Sequence, residues 1–354
     1  MAQLPTVEDV ALLARVSRQT VSNVLNSPSR VKAVTRLRVE AAIAQLGYRQ
    51  NASARRLRLQ KSSTIGIRLD PMVNGISGAV LDRFLHALTE QADVRGMRVL
   101  LFTASTPEVE IEQIRRLRDG SDVDAFVLTA TFHNDPRTGW LIDHRVPFVT
   151  FGRPWGIDDL NDPQHLWVDV DGAAGVRAAT THLIVSGARR VHYLGWPRPS
   201  GTGDDRRRGW VQAMRDHFGW DETALASLES VTVEDVERAT SVVSELLARR
   251  PEVDALVCVS DSLALGAMIA AASAGRPQLP IIGFDNTPVA QALGFSSVEQ
   301  SLDSVAAGVL ELLMGATGSD LVGRELSPGG AHRLISPKLI IRNPNRLPLL
   351  EPQF

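Results

Sequence analysis

The sequence predicts an α/β protein carrying a small all-α head, and three observations support that expectation. Residues 6–26, TVEDVALLARVSRQTVSNVLN, hold apolar side chains at helical spacing in two short segments joined by a tight turn. From Ser63 onward the pattern becomes short apolar runs alternating with amphipathic stretches, as βα units and parallel sheets require. The charge divides at the same place: residues 1–61 hold 11 Lys/Arg against Glu8, Asp9 and Glu40, a net +8, whereas the remainder holds 27 against 37, a net −10. A basic head on an acidic body suits a head that meets phosphate and a body that does not.

The first helix is expected to start at Thr6, whose hydroxyl caps free N–H groups while Asp9 completes a variant of the capping box. Val7, Val10, Ala11 and Ala14 then share one face. In the second segment Val16, Thr20, Val21, Val24 and Leu25 fall on one half, and Arg18, Gln19, Ser22, Asn23 and Asn26 on the other. That polar set matches base edges in a major groove, Arg with guanine O6/N7 and Gln or Asn with adenine N6/N7. The bland alternative is an amphipathic helix hairpin whose polar face is simply solvated. The pattern fits helix-turn-helix docking better.

After the loop SPSRVKAVT, a third helix is expected from about Ala33 to Leu46, closed by Gly47. Residues 51–58, NASARRLR, begin with a good N-cap in Asn51 but carry too little apolar surface for a stable isolated helix. The strand-like runs that follow are 64–69, 97–103, 125–129, 146–151, 190–195, 254–260 and 280–285, with Gly96, Gly187 and Gly275 where helices should stop. So many strands fit two sequential α/β subdomains better than one open sheet. The expected layout is a headpiece over 1–50, a linker over 51–61, the α/β region over 62–342 and a tail over 343–354.

Other classes find little support. No apolar run approaches the roughly 18 residues of a membrane span, and the start MAQLPTVEDV lacks a secretory signal, so no membrane partner and a cytoplasmic, nucleoid-associated location are expected. The single cysteine, Cys258, excludes an intrachain disulfide, and the His residues lack metal spacing; neither metal nor cofactor is expected. GxGxxG, GxxxxGK, GxSxG and HExxH are all missing, and the scattered His and Asp residues make no triad.

The motif T-V-x-D-V-A-x-x-A-x-V-S-x-Q-T-V-S-x-V-L-N resembles the N-terminus of the lac repressor (LacI/GalR) family of bacterial transcription regulators. It includes Thr6, Ser17 and Thr20, which join the polar set as candidate DNA contacts. Arg15 departs from the family, which usually has Gly in this turn, so a positive φ there would strain the backbone. The resemblance makes residues 51–61 a hinge helix that orders on DNA, with Leu57 matching the leucine wedged between base pairs and Ala54 the small residue at the minor-groove floor. Further blocks, V-D-V-D-G-A-A-G (168–175), A-T-T-H-L-I-V-S-G-A-R-R-V (179–191), S-D-S-L-A-L-G-A-M (260–268), I-I-G-F-D-N (281–286) and P-K-L-I-I-R (337–342), are similar to that family's regulatory domain. The resemblance implies a two-lobed, periplasmic-binding-protein-like domain with a ligand between the lobes.

In open α/β sheets ligands sit beyond the carboxyl ends of strands, and Asp285, Ser260, Asp261 and Arg153 fall at such ends. Asp285 matches the family's ligand-binding Asp, Arg206 matches its effector-gripping Arg, and Ser260 stands where an Asn is frequent. A guanidinium facing a carboxylate can bind vicinal hydroxyls, which points to a sugar. Trp155, Trp167, Trp196 and Trp210 lie near the same strand ends, either to stack on a sugar ring or as interior anchors. Arg153 and Arg206 are equally open to a role as salt bridges between lobes.

The expectation is therefore a homodimeric repressor on a near-palindromic double-stranded DNA operator, switched by a small-molecule effector, a sugar. The proline-containing tail NPNRLPLLEPQF has no leucine heptad for a tetramer. The alternatives are a corepressor-dependent regulator answering to a purine or sugar phosphate, a sugar-binding enzyme, or a protein that only sequesters sugar.

Overall fold

The computed structural model describes residues 5–48, 62–69, 78–156, 160–317 and 330–342. The hinge candidates Asn51, Ala54 and Leu57 lie outside the described residues. The chain divides into two compact units, Met1–Ser62 and Ser63–Phe354.

In the first unit, α1 (Val7–Leu13), α2 (Arg18–Asn26), a 3-10 turn (Pro28–Arg30) and α3 (Ala33–Leu46) enclose a small core of Val10, Ala11, Ala14, Val21, Val24, Val39 and Ala42. Thr6 caps α1 as its sequence suggests: Thr6 Oγ1 accepts from Asp9 N at 3.3 Å, and Asp9 Oδ2 accepts from Thr6 N at 2.7 Å. Donation from Thr6 N and from Thr6 Oγ1 holds the Asp9 carboxyl below the usual carboxylate range. Arg15 has φ 50°, so the left-handed turn is kept and its strain tolerated, the outcome that the sequence left open. The reason is a helix C-cap: Arg15 N donates to Leu12 O and Val16 N to Ala11 O, the paired bonds of a Schellman motif with arginine where glycine is usual.

In the second unit the chain runs β1 (Thr64–Leu69), α4 (Gly78–Val94), β2 (Arg98–Thr103), α5 (Pro107–Asp119), β3 (Ala125–Leu128), α6 (Pro136–Asp143), β4 (Phe148–Phe151) and β5 (Trp167–Val170). It continues through α7 (Gly172–Val185), β6 (Val191–Gly195), α8 (Thr202–Phe218), α9 (Glu222–Ala226), β7 (Glu229–Val231), α10 (Val236–Arg249), β8 (Ala255–Cys258), α11 (Asp261–Ser273), β9 (Ile281–Phe284), α12 (Pro288–Leu293) and β10 (Ser296–Glu299). Last come α13 (Leu302–Thr317), β11 (His332–Ile335) and β12 (Lys338–Ile340).

Among the described residues the strands form two six-stranded sheets, ordered β11-β5-β4-β3-β1-β2 and β12-β10-β9-β8-β6-β7. Every pairing is parallel except β10 with β12. Parallel strands covered on both faces read as near-continuous apolar runs, which is why AFVL, ALVC and IIGF are buried throughout. Each sheet is the centre of one lobe. The chain passes between lobes three times, after β5, after β10 and between β11 and β12. Carboxyl ends of strands from both lobes therefore face one cleft, the geometry in which α/β sheets hold ligands. Among the described residues no helix is long and apolar enough to cross a membrane.

Candidate functional site

On the first unit, α2 presents the polar face read from sequence. Arg18 and Gln19 are exposed, and Ser22 and Asn23 are half-buried. Gln19 Nε2 donates to Asn23 Oδ1 at 3.0 Å, and the Arg18 guanidinium is paired with Glu8 of α1. Ser17 is the N-cap of α2, accepting from Thr20 N at 3.1 Å, and its hydroxyl also lies 2.9 Å from Thr20 Oγ1. Thr6 likewise caps α1, so two of the candidate contacts, Thr6 and Ser17, also hold helix ends. Asn26 ends α2.

In the second unit a cavity of about 210 Å³ opens between the lobes. Thr129, Thr131, Phe151, Arg153 and Asp169 line it from the first lobe, and Thr202, Asp205, Arg206 and Gln300 from the second side. Arg206 projects from α8 and is buried: Nη1 donates to Val259 O at 2.5 Å, and Nη2 lies 3.6 Å from Asp285 Oδ1. Its guanidinium sits 3.6 Å from the Phe284 ring centroid and 5.5 Å from that of Trp196. Its Nε is buried and finds no partner among the described residues.

Asp285 follows β9 with φ 110°, an unusual conformation for a residue other than glycine. Its Oδ1 accepts from Gln300 Nε2 at 2.5 Å. Burial pushes its carboxyl up to about 8, although Arg206 pulls the other way. The charged form is thus poorly satisfied without a further donor.

Arg153 takes the second role that its sequence left open. Its Nε donates to Asp169 at 2.7 Å and its Nη2 to Asp205 of α8 at 2.6 Å, so it ties the two lobes together at the cavity wall. Trp155 lies beneath it, the guanidinium 4.7 Å from the ring centroid. Trp155 also rests on Gly201, where a Cβ would come within 2.4 Å of the indole. Its Nε1 is buried without a partner among the described residues.

Of the effector candidates Arg153 and Arg206 line this cavity, whereas Asp285, Trp155, Asp261 and Ser260 do not, and the last two have other duties. Asp261 stands at a strand end but does not line the cavity: Thr287 N and Oγ1 donate to it at 2.7 and 2.8 Å and Ser297 Oγ at 2.6 Å. It holds the turn after β9, and burial raises its carboxyl to about 6. Ser260 is the N-cap of α11 and donates to Glu234 at 2.8 Å, so it too is absent from the cavity wall. A strand-end position is satisfied equally well by helix capping as by ligand binding, which is why sequence alone could not separate them.

The tryptophans also divide. Trp196 stands beside Arg206 and donates to Glu234 at 2.6 Å. Trp210 is fully buried, donating to Val191 O at 3.0 Å, and Trp167 donates to Leu160 O at 3.0 Å while stacking on His332. These two are interior anchors.

Sequence reasoning missed Asp169, Asp205, Gln300 and Glu234. Asp205 adjoins Arg206 in D-D-R-R-R-G and could have been found by asking what neutralises that arginine run. Gln300 follows β10, a strand with no apolar run to announce it. Among the described residues no group of His, Cys, Asp and Glu could hold a metal ion. The walls offer the guanidinium of Arg206, the Arg153–Asp169–Asp205 cluster, the amide of Gln300 and threonine hydroxyls, a set suited to a neutral polyhydroxylated molecule.

Known proteins agree with this geometry. Residues 6–51 match the family described as bacterial regulatory proteins, lacI family, and residues 81–328 match that of periplasmic binding proteins and the sugar binding domain of LacI family. The chain is 32% identical over 297 residues to the HTH-type transcriptional regulator CelR of Thermobifida fusca, covering 81% of this chain and 84% of that one. A solved complex of the transcriptional regulator CelR with cellobiose is 28% identical, with TM-score 0.67 over 96% of this chain and 99% of that one. The lac repressor dimer bound to operator and an anti-inducer shares the fold, with TM-score 0.76 at 21% identity over 96% of this chain and 98% of that one. The chain belongs to the LacI family of bacterial regulatory proteins, a DNA-binding transcriptional regulator built from that family's helix-turn-helix and sugar-binding domains.

Proposed function

We propose that this regulator is a repressor of sugar-utilisation genes that leaves its operator when a neutral sugar, a glucoside disaccharide such as cellobiose, binds between the lobes. The observation carrying this reading is the Arg206–Asp285 pair: a buried guanidinium with an unpartnered Nε opposite a buried carboxyl raised by desolvation, beside Trp196. Vicinal hydroxyls complete both groups, accepting from the guanidinium and donating to the carboxylate. A phosphate would set two negative charges against Asp285, Asp169 and Asp205. The likeness to CelR supports the choice of cellobiose as first probe.

A cavity of about 210 Å³ is small beside the roughly 300–1,000 Å³ of most ligand pockets. A disaccharide therefore requires the lobes to part, which breaks the Arg153–Asp205 bridge and links occupancy to lobe arrangement. To shift operator affinity about a hundredfold the sugar must prefer one arrangement by roughly 2.7 kcal/mol.

On DNA the protein acts as a homodimer, each α2 reading one half of a near-palindromic operator through Arg18, Gln19, Ser22, Asn23 and Asn26, with Thr6, Ser17 and Thr20 at its edge. Asn51, Ala54 and Leu57 complete the contact at the centre of the site. The working place is the cytoplasm, on the nucleoid, and no catalytic step belongs to the function.

The test is thermal-shift screening of cellobiose, other neutral sugars, purines and sugar phosphates, followed by operator titration with whatever binds. Cellobiose should raise the melting temperature and release operator, without turnover of the sugar. Binding of purines or sugar phosphates alone would favour the corepressor alternative and overturn this reading.

A further inference from the structure

The polar face of α2 contains no acid, yet its most versatile donor already has an acidic partner. Glu8, in the first turn of α1, accepts from Nη1 of Arg18, the first residue of α2. Both side chains are open to solvent, 63% and 69% exposed, so the pair adds little to folding. A carboxylate on a DNA-facing surface also repels phosphate. Neither stability nor general affinity accounts for it.

We propose that Glu8 is a specificity-determining residue that aims Arg18 at a guanine in each half of the operator. The inference rests on the reading of α2 as the base-reading helix. A guanidinium has five N–H donors in a planar fork. With Nη1 committed to Glu8, the Nε and Nη2 side has no partner among the described residues and presents two parallel donors, the arrangement that meets guanine O6 and N7. A long exposed arginine otherwise divides its time between base edges and the nearest phosphate. The Glu8 carboxylate favours the base in two ways, by fixing the plane of the fork and by placing negative charge where a phosphate contact would form. Its second oxygen can accept from a cytosine N4 amino group, so the Glu8–Arg18 pair has the donor and acceptor pattern of a G·C step and no complement to an A·T pair.

The test uses the full chain and a randomised double-stranded DNA library, with base preference read at every enriched position. The wild-type protein should enrich an inverted repeat with one strongly preferred guanine per half-site. Arg18→Ala should erase that preference. Glu8→Ala should reduce it about tenfold at the same base pair, leave the other positions and the melting temperature unchanged, and add nothing in the Arg18→Ala background. Its binding should also become more salt-dependent, the slope of log K against log salt steepening by about 0.9 per headpiece as the freed Arg18 turns to phosphate. Glu8→Gln, whose amide oxygen still accepts from Arg18, should retain part of the preference. An unchanged preference in Glu8→Ala would overturn the proposal, as would an equal loss at all positions with a lowered melting temperature. A wild-type protein that enriches no inverted repeat would overturn the operator reading itself, and this inference with it.

Discussion

Asp285 carries much of the proposed chemistry, and its protonation gives a signed prediction. Burial holds its carboxyl near 8, against 3.8 in an unperturbed chain. The folded state then keeps a proton that the unfolded state releases. This contribution to stability is complete below about pH 4 and is lost as pH rises to about 8. His165 and His192, which burial lowers to about 4 and 3, act in the opposite sense as pH falls below 6.5. Comparison with Asp285→Asn isolates the aspartate: the variant should lose less thermal stability between pH 5 and 8 than the wild type. If a sugar hydroxyl donates to the carboxylate, cellobiose affinity should rise with pH towards about 8 and become flat in Asp285→Asn. Calorimetry in two buffers of different ionisation enthalpy would detect the released proton, and a pH-independent wild-type affinity would remove Asp285 from the site. Asp285 was singled out in sequence by a strand end and a family motif together, and Arg206 by the family motif alone. Asp261 shares the strand-end signal but spends its oxygens on Thr287 and Ser297, partners that only the folded chain brings near.

Among the elements, legibility followed length and pattern. The strands β1, β2, β3, β4, β6, β8 and β9 were each foreshadowed by an apolar run, whereas β5, β7, β10, β11 and β12 were not. WVDV carries an acid mid-strand, ESV and KLI are three residues long, and SSVE is mostly polar. Such strands exist because a neighbour supplies a ladder, which is non-local information. The turn after α1 was only half legible, since a missing glycine left open whether the turn would adjust or Arg15 would become left-handed, as it does. Arg15→Gly should therefore stabilise the headpiece by about 1 kcal/mol, measured as a shift in its unfolding midpoint. A second element-scale feature had no sequence signature. Arg137 of α6 is buried and bonds Glu110 of α5 at 2.8 Å, the Asp135 N-cap at 2.9 Å, and the carbonyls of Thr129 and Ala130 at 3.1 and 3.3 Å. It fixes the loop after β3, where Thr129 and Thr131 line the cavity. Arg137→Met should cost about 3–5 kcal/mol in a urea melt, because it leaves the buried Glu110 with little compensation. Replacing Glu110 as well by Gln should recover part of that loss. A cost below about 1 kcal/mol would show that the cluster relaxes freely.

At the scale of the molecule the decisive feature is that the lobes are joined by three chain crossings and by side-chain ties. Arg153 bonds Asp205 across the cavity wall. Arg83 of α4 spans the other side of the same turn: Nη1 donates to Asn286 O at 3.1 Å and more weakly to Asp285 O at 3.4 Å, and Nη2 to Glu299 at 2.9 Å. The carbonyls it holds belong to the two left-handed residues that carry the candidate effector carboxylate, so the second lobe cannot swing away without releasing them. The Arg153 tie was open in sequence without its partner and the Arg83 tie was not legible at all, because each joins residues more than fifty positions apart that meet only after both sheets have formed. A ligand can bias a lobe equilibrium only by its differential affinity, and a side chain that stabilises one arrangement biases it in the same way. Arg83→Met should therefore favour parted lobes, and the two affinities that depend on lobe arrangement must respond together. If sugar prefers the parted state and operator the joined one, cellobiose should bind more tightly and operator more weakly, each by about tenfold for a tie worth about 1.4 kcal/mol. Operator titration with and without cellobiose, beside calorimetry of the sugar alone, measures both. A variant that weakens sugar binding while leaving operator affinity at the wild-type value would show that Arg83 merely shapes the pocket and that the lobes do not carry the switch.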